Sequence, residues 1–146
     1  MGEPADSTFM KPAVGTLRIF DDVSALAESA AEFVCELACR KPGPVRIALA
    51  GGDTPKPVYE NFARDPFIHC MPWERVHWLF GDERFVPPSS ADSNYGMARD
   101  IFLSRVPAPA ANVHPINTKG LTPDEAARAY EATLKELYGA QTLSID

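Results

Sequence analysis

Apolar residues follow two rhythms along this chain. From Val23 they fall at Val23, Leu26, Ala27, Ala30, Phe33, Val34 and Leu37, and that spacing predicts an amphipathic helix. Asp21-Asp22 offers a cap for it, and Pro42-Gly43-Pro44 stops it. Val45 to Ala50 is a near-continuous apolar run, broken only by Arg46. Such a run, followed by Gly51-Gly52, predicts a buried strand, a glycine turn and a helix start. Val76 to Phe80 predicts another strand, with Val76, Trp78 and Phe80 on one face and His77 and Leu79 on the other. Strands apolar on both faces suit a parallel sheet covered by helices.

The remaining segments fill in around these. Residues 1–15 lack apolar periodicity and read as a loose tail. Leu17 to Phe20 reads as a short strand. The helix after the glycine turn should run to about Arg64, and Pro66 and Pro72 bracket a loop. Gly81 to Asn94 is polar and proline-bearing. A helix from about Asn94 to Arg105 should turn Met97, Ala98, Ile101 and Phe102 inward, and Asn112 to Ile116 should form a short edge strand, interrupted by Pro115. Thr122-Pro123-Asp124-Glu125 is a capping box with proline at the first helical position. Its helix should bury Ala127, Tyr130, Leu134 and Leu137 and close at Gly139. The order β-α-β-α-β-loop-α-(β)-α predicts an α/β, doubly wound fold, a mostly parallel sheet with helices on both faces, over a single domain of residues 16–146.

Composition narrows the function classes. The 146 residues include 14 prolines, which cut the chain into short elements and exclude long coiled coils and helical repeats. The net charge of −6, with no basic run, argues against a nucleic-acid partner. No apolar stretch reaches the ~20 residues of a membrane span, and the first residues lack a secretory pattern. Cys35, Cys39 and Cys70 are odd in number and without CxxC spacing, so buried reduced thiols and a cytoplasmic location are expected. His69, His77 and His114 show no metal spacing, and His77 reads as a satisfied core residue.

Three segments carry candidate chemistry. Gly51-Gly52-Asp53-Thr54-Pro55 lies at the carboxyl end of a predicted strand, where doubly wound sheets take their ligands. Glycines there let backbone amides approach an anion. A turn capped by Asp53 or Thr54 explains the same residues. With Thr54 as cap, Pro57 lacks the amide that the cap would normally bond, so the Thr54 hydroxyl must serve Lys56 or turn toward a ligand. The segment matches neither the dinucleotide fingerprint nor a P-loop. Gly81-Asp82-Glu83-Arg84 ends the next strand. Arg84 has the planar fork that grips phosphate or carboxylate, and Asp82 is placed to hold Arg84, accept a sugar hydroxyl or act as a base. A surface ion-pair loop is the alternative. In Asp92-Ser93-Asn94-Tyr95, capping accounts for Asp92 and Ser93, leaving Asn94 as a ligand contact.

Together these strings resemble the 6-phosphogluconolactonase family, within the superfamily shared with glucosamine-6-phosphate isomerases. The resemblance runs through Ile47 to Lys56, Pro72 to His77, Gly81 to Pro87, Asp92 to Ala98 and Ala111 to His114, in the same order, and spans about Arg18 to Tyr138. It implies hydrolysis of a phosphorylated sugar lactone in the oxidative pentose phosphate pathway, with no metal and no cofactor. It also implies that Gly51, Gly52 and Thr54 line the substrate cleft and that Asp82 and Arg84 belong to the active site. Arg84 is then the anion-gripping residue, and Asp82 orients Arg84 or a substrate hydroxyl.

Two departures qualify the resemblance. The family loop usually has Ser where this chain has Asp53. A carboxylate repels a phosphate, so Asp53 should point away as a cap, or the ligand sits differently. The family also continues into another strand and a segment of the type GLGxDGHxASLFP, whose His is the implied general base. This sequence runs to Leu143-Ser144-Ile145-Asp146, where that strand would begin, and none of its histidines falls in that motif. The expectation is therefore the N-terminal portion of a lactonase domain, with an uncovered sheet edge that invites self-association. The rival readings are a sugar-phosphate-binding module without catalysis and a deaminase-like or isomerase-like enzyme. Arg84 stands where the deaminase pattern has an aromatic residue, against the last of these.

Overall fold

The computed structural model describes residues 15–139. Its centre is a parallel pair of strands, β1 (Val45–Leu49) and β2 (Val76–Phe80), in register from Val45 opposite Val76 to Leu49 opposite Phe80. Both lie where the apolar runs predict. Parallel register puts Val45, Ile47, Leu49, Val76, Trp78 and Phe80 on one face, and Arg46, Ala48, His77 and Leu79 on the other.

The first face carries the core. Helices α1 (Val23–Arg40), α2 (Lys56–Phe62) and α3 (Phe67–Cys70) pack there, together with α4 (Asn94–Ala98) and the π-helical turn Arg99–Leu103 that continues it. Phe62, Trp78 and Phe102 are fully buried and meet ring to ring, with Phe102 edge-on to Trp78 at 5.1 Å between centroids. Aromatic contacts of this kind add to the area they bury. Helix α5 (Pro123–Tyr138) reaches the sheet elsewhere. Its Tyr130 hydroxyl accepts from Phe80 N at 2.8 Å, and its Leu137 carbonyl accepts from Arg46, whose guanidinium also lies over the Tyr138 ring. The predicted capping box and the left-handed Gly139 bound this helix.

Several expectations are corrected. Leu17 to Phe20 is no strand: no neighbouring strand bonds it among the described residues, and Leu17 and Ile19 are exposed. Helix α1 buries the small stripe Ala27, Ala31, Cys35 and Ala38, whereas Val23, Leu26, Phe33 and Leu37 are exposed. Small side chains let α1 approach α2 and α3 closely, so the bulkier stripe is left facing out. Helix α5 buries Ala126 rather than Ala127. The Pro66–Pro72 loop contains the short helix α3. The edge strand at Asn112–Ile116 reduces to one bridge, Val113 to Trp78, closed by His114 N donating to Trp78 O at 2.9 Å. Pro115 has no amide with which to extend it. Cys35 is buried, but Cys39 and Cys70 are exposed, and all three are free. His77 is half-buried, its Nδ1 paired with His114 Nε2 at 3.0 Å. The loose tail and the chain beyond Gly139 lie outside the described residues, apart from Gly15. No helix among the described residues is long and apolar enough to cross a membrane.

Candidate functional site

Strands β1 and β2 run parallel, so their carboxyl ends open side by side. Gly81 N donates to Leu49 O at 3.1 Å and extends the ladder to the edge of both loops. The buried Tyr59 of α2 then fixes the exit of β1. Its hydroxyl accepts from Ala50 N at 2.8 Å and donates to Ala50 O at 2.9 Å. The glycine loop thus leaves the sheet from a clamped residue, and Gly52 turns it at φ +83°, a conformation glycine adopts without strain.

The loop after β2 is organised by a residue to which the sequence reading gave no role. Glu83 turns back onto the start of α4. Its Oε1 accepts from Asn94 N at 2.7 Å and Arg84 N at 2.8 Å, and its Oε2 accepts from Tyr95 N at 2.9 Å and Ser93 Oγ at 3.2 Å. One carboxylate therefore ties the Gly81–Arg84 segment to the Asp92–Tyr95 segment. Ser93 caps α4 by accepting from Gly96 N at 3.0 Å. The loop charge that sequence reads as an ion-pair surface is, at Glu83, an internal brace.

Asn94 is buried and joins three of the predicted segments. Its Nδ2 donates to Asp82 Oδ1 at 3.2 Å and to Asp82 O at 3.1 Å. Its carboxamide also lies directly over Gly51, where a Cβ would fall 2.1 Å from Asn94 Oδ1. Glycine at 51 is thus required by close approach.

A cleft of about 210 Å³ opens here. Gly52, Asp53, Arg84 and Asn94 line it, and so does Lys56, which no sequence motif singles out as a site residue. Gly51 and Asp82 contact Asn94 but do not themselves line the cleft. Thr54 is exposed and does not line this cleft. It makes no capping bond either: Pro55 takes the cap position of α2. Asp53 is not a cap. Its Oδ1 pairs with Lys56 Nζ at 2.5 Å, and that hydrogen bond holds its carboxyl below the usual carboxylate range. Asp82 orients Asn94 and makes no ion pair with Arg84 among the described residues. Arg84 is exposed at the cleft with its side chain free of any such pair. The signal for Lys56 was a lysine three residues after Asp53, the spacing at which side chains meet in a helical turn.

A parallel strand pair with a glycine loop and a polar cleft beyond its carboxyl ends defines an α/β protein whose cleft lies where such sheets place their ligands. The family described as glucosamine-6-phosphate isomerases/6-phosphogluconolactonase matches residues 21–146, and the chain belongs to it. A 6-phosphogluconolactonase of Synechocystis is 43% identical over 101 residues, covering 69% of this chain and 40% of the relative. One of Nostoc is 36% identical over 128 residues, covering 86% of this chain and 52% of the relative. The crystal structure of 6-phosphogluconolactonase from Thermotoga maritima superposes with a TM-score of 0.68 at 32% identity, over 84% of this chain and 52% of that one. The chain spans about half the length of the curated relatives it matches. The predicted α/β fold is that of these structures.

Proposed function

We propose that this chain carries the substrate-gripping part of a 6-phosphogluconolactonase, which hydrolyses 6-phospho-D-glucono-1,5-lactone to 6-phosphogluconate. The observation that carries this reading is the cleft itself, which gathers Gly52 from the loop after β1, Arg84 from the loop after β2 and Asn94 from the start of α4. In the reaction, water adds to the lactone carbonyl carbon, the bond from that carbon to the ring oxygen breaks, and the ring oxygen takes up a proton. The new carboxylic acid then ionises. Arg84 offers two parallel N–H donors to the phosphoryl group of the substrate. Asp82 acts through Asn94: it takes the donors of the carboxamide, whose acceptor oxygen lies closest to Gly51 of the glycine loop. The resemblance assigns the general base to the histidine of the Gly-rich segment, which none of His69, His77 and His114 matches.

The test is hydrolysis of the phosphorylated lactone by the purified chain, measured against the spontaneous rate. Acceleration that Arg84→Ala removes is the expected result. No acceleration, with 6-phosphogluconate still raising the melting temperature, would replace catalysis with a sugar-phosphate-binding role.

A further inference from the structure

Lys56 lies between Pro55 and Pro57, and rings on either side restrict the backbone from which its side chain projects. Its amide donates to Asp53 O at 3.2 Å, and its ammonium meets Asp53 Oδ1 at 2.5 Å, so one tight turn holds both charges. The two side chains differ in environment. That of Asp53 is 94% exposed, whereas that of Lys56 is 40% exposed and lies along the cleft wall beside Arg84. Among the described residues, Asp53 has no side-chain partner except Lys56.

Resting on the phosphosugar reading above, we propose that Lys56 is a second cation for the phosphoryl group, and that Asp53 is its exchangeable counterion in the empty cleft. An exposed ion pair is worth at most about 1 kcal/mol, so a phosphate dianion can displace Asp53 at small cost. Lysine suits this exchange. It is a compact charge with three donors on a flexible stem, able to leave one oxygen for another without the fixed geometry a guanidinium needs. A bare lysine beside Arg84 in the cleft would attract small anions without regard to their charge. Asp53 cancels that charge until a dianion outcompetes it, and its own carboxylate then repels the bound phosphate. The pair therefore selects for phosphorylated sugars while holding their affinity down.

The two residues act with opposite sign, and titration calorimetry of the full chain with 6-phosphogluconate, with gluconate as control, reads both. Lys56→Met should raise Kd about tenfold, the scale of one charge-assisted contact, and Lys56→Arg should recover most of it. Asp53→Asn should lower Kd several-fold, and both shifts should shrink at high salt. Gluconate should bind weakly throughout. If both variants match the wild type while Arg84→Ala loses binding, Lys56 is a surface lysine and this inference alone fails. If the wild type binds no 6-phosphogluconate, the phosphosugar reading fails with it. If Lys56→Met weakens binding but the chain does not accelerate lactone hydrolysis, the inference stands and catalysis falls.

Discussion

The Asn94 carboxamide occupies the space that a side chain at Gly51 would need, so the glycine loop and the start of α4 are in contact with no atom between them. The neighbour is a side chain rather than backbone, so Gly51→Ala should fold and push Asn94 aside. That movement breaks both of its bonds to Asp82 and should cost about 1–3 kcal/mol, the range for stranding a buried polar group. Urea unfolding reads the loss. On an Asn94→Ala background the same substitution should cost far less, because the clash is gone. Equal costs on the two backgrounds would mean that the contact is not what requires glycine.

Glu83 gives a second prediction. Four donors converge on its two oxygens. Glu83→Gln keeps the shape but replaces one acceptor oxygen with an amide that cannot accept. Loss of charge-assisted bonds predicts a destabilisation of about 1.5–3 kcal/mol, with the cleft disordered before the core. Hydrogen exchange at Asn94 and Tyr95 amides should accelerate while that at Val76 to Leu79 changes little. Uniform acceleration would place Glu83 in the global fold rather than in the site.

Glu83 also marks how far sequence reaches. Strands β1 and β2 were legible because continuous apolar runs bounded by Gly and Pro admit few readings. The α5 cap was legible because both members of its box lie three residues apart. The glycine loop and Asn94 stood out as site candidates for the same local reason. Glu83 reads as loop charge because three of its four partners lie ten to twelve residues away, across a loop with no periodicity. Helix α1 misled for another reason. Periodicity ranks large apolar residues first, but the neighbours of α1 accept only the small stripe Ala27, Ala31, Cys35 and Ala38. Leu17 to Phe20 has strand composition without a strand beside it, and composition cannot supply a ladder.

Tyr130 supplies a third prediction, about how α5 is held. Its hydroxyl accepts from Phe80 N, the last amide of β2, at 2.8 Å. Burial raises the Tyr130 pKa above its ordinary value, so the hydroxyl stays protonated at neutral pH. Tyr130→Phe leaves the Phe80 amide without its acceptor and should cost about 1–3 kcal/mol. The exchange rate of the Phe80 amide itself should rise most. If that amide stays protected while stability falls, the ring packing of Tyr130 matters and its hydroxyl does not.

The histidine pair predicts a pH dependence. His77 Nδ1 and His114 Nε2 are 3.0 Å apart, with rings only 11° from parallel and centroids 5.3 Å apart. The centroid separation exceeds the nitrogen separation by about two ring radii, so the rings meet edge to edge in an N–H···N bond. Burial lowers the pKa of both below the ordinary 6.5, the Arg46 charge adding to it at His77 and His77 adding to it at His114. Arg46, opposite His77 in the register, is the charged group of the neighbouring strand. The native state therefore prefers both rings neutral, whereas the unfolded chain binds protons near pH 6.5. Between that pH and the lower native values the unfolded state holds more protons, so stability is full above about pH 7 and declines as pH falls below 6.5. Urea midpoints at pH 7.5 and 5.5 should differ in the wild type, and the difference should shrink in His77→Gln/His114→Gln. An unchanged difference in the double variant would assign the acid sensitivity to carboxylates elsewhere.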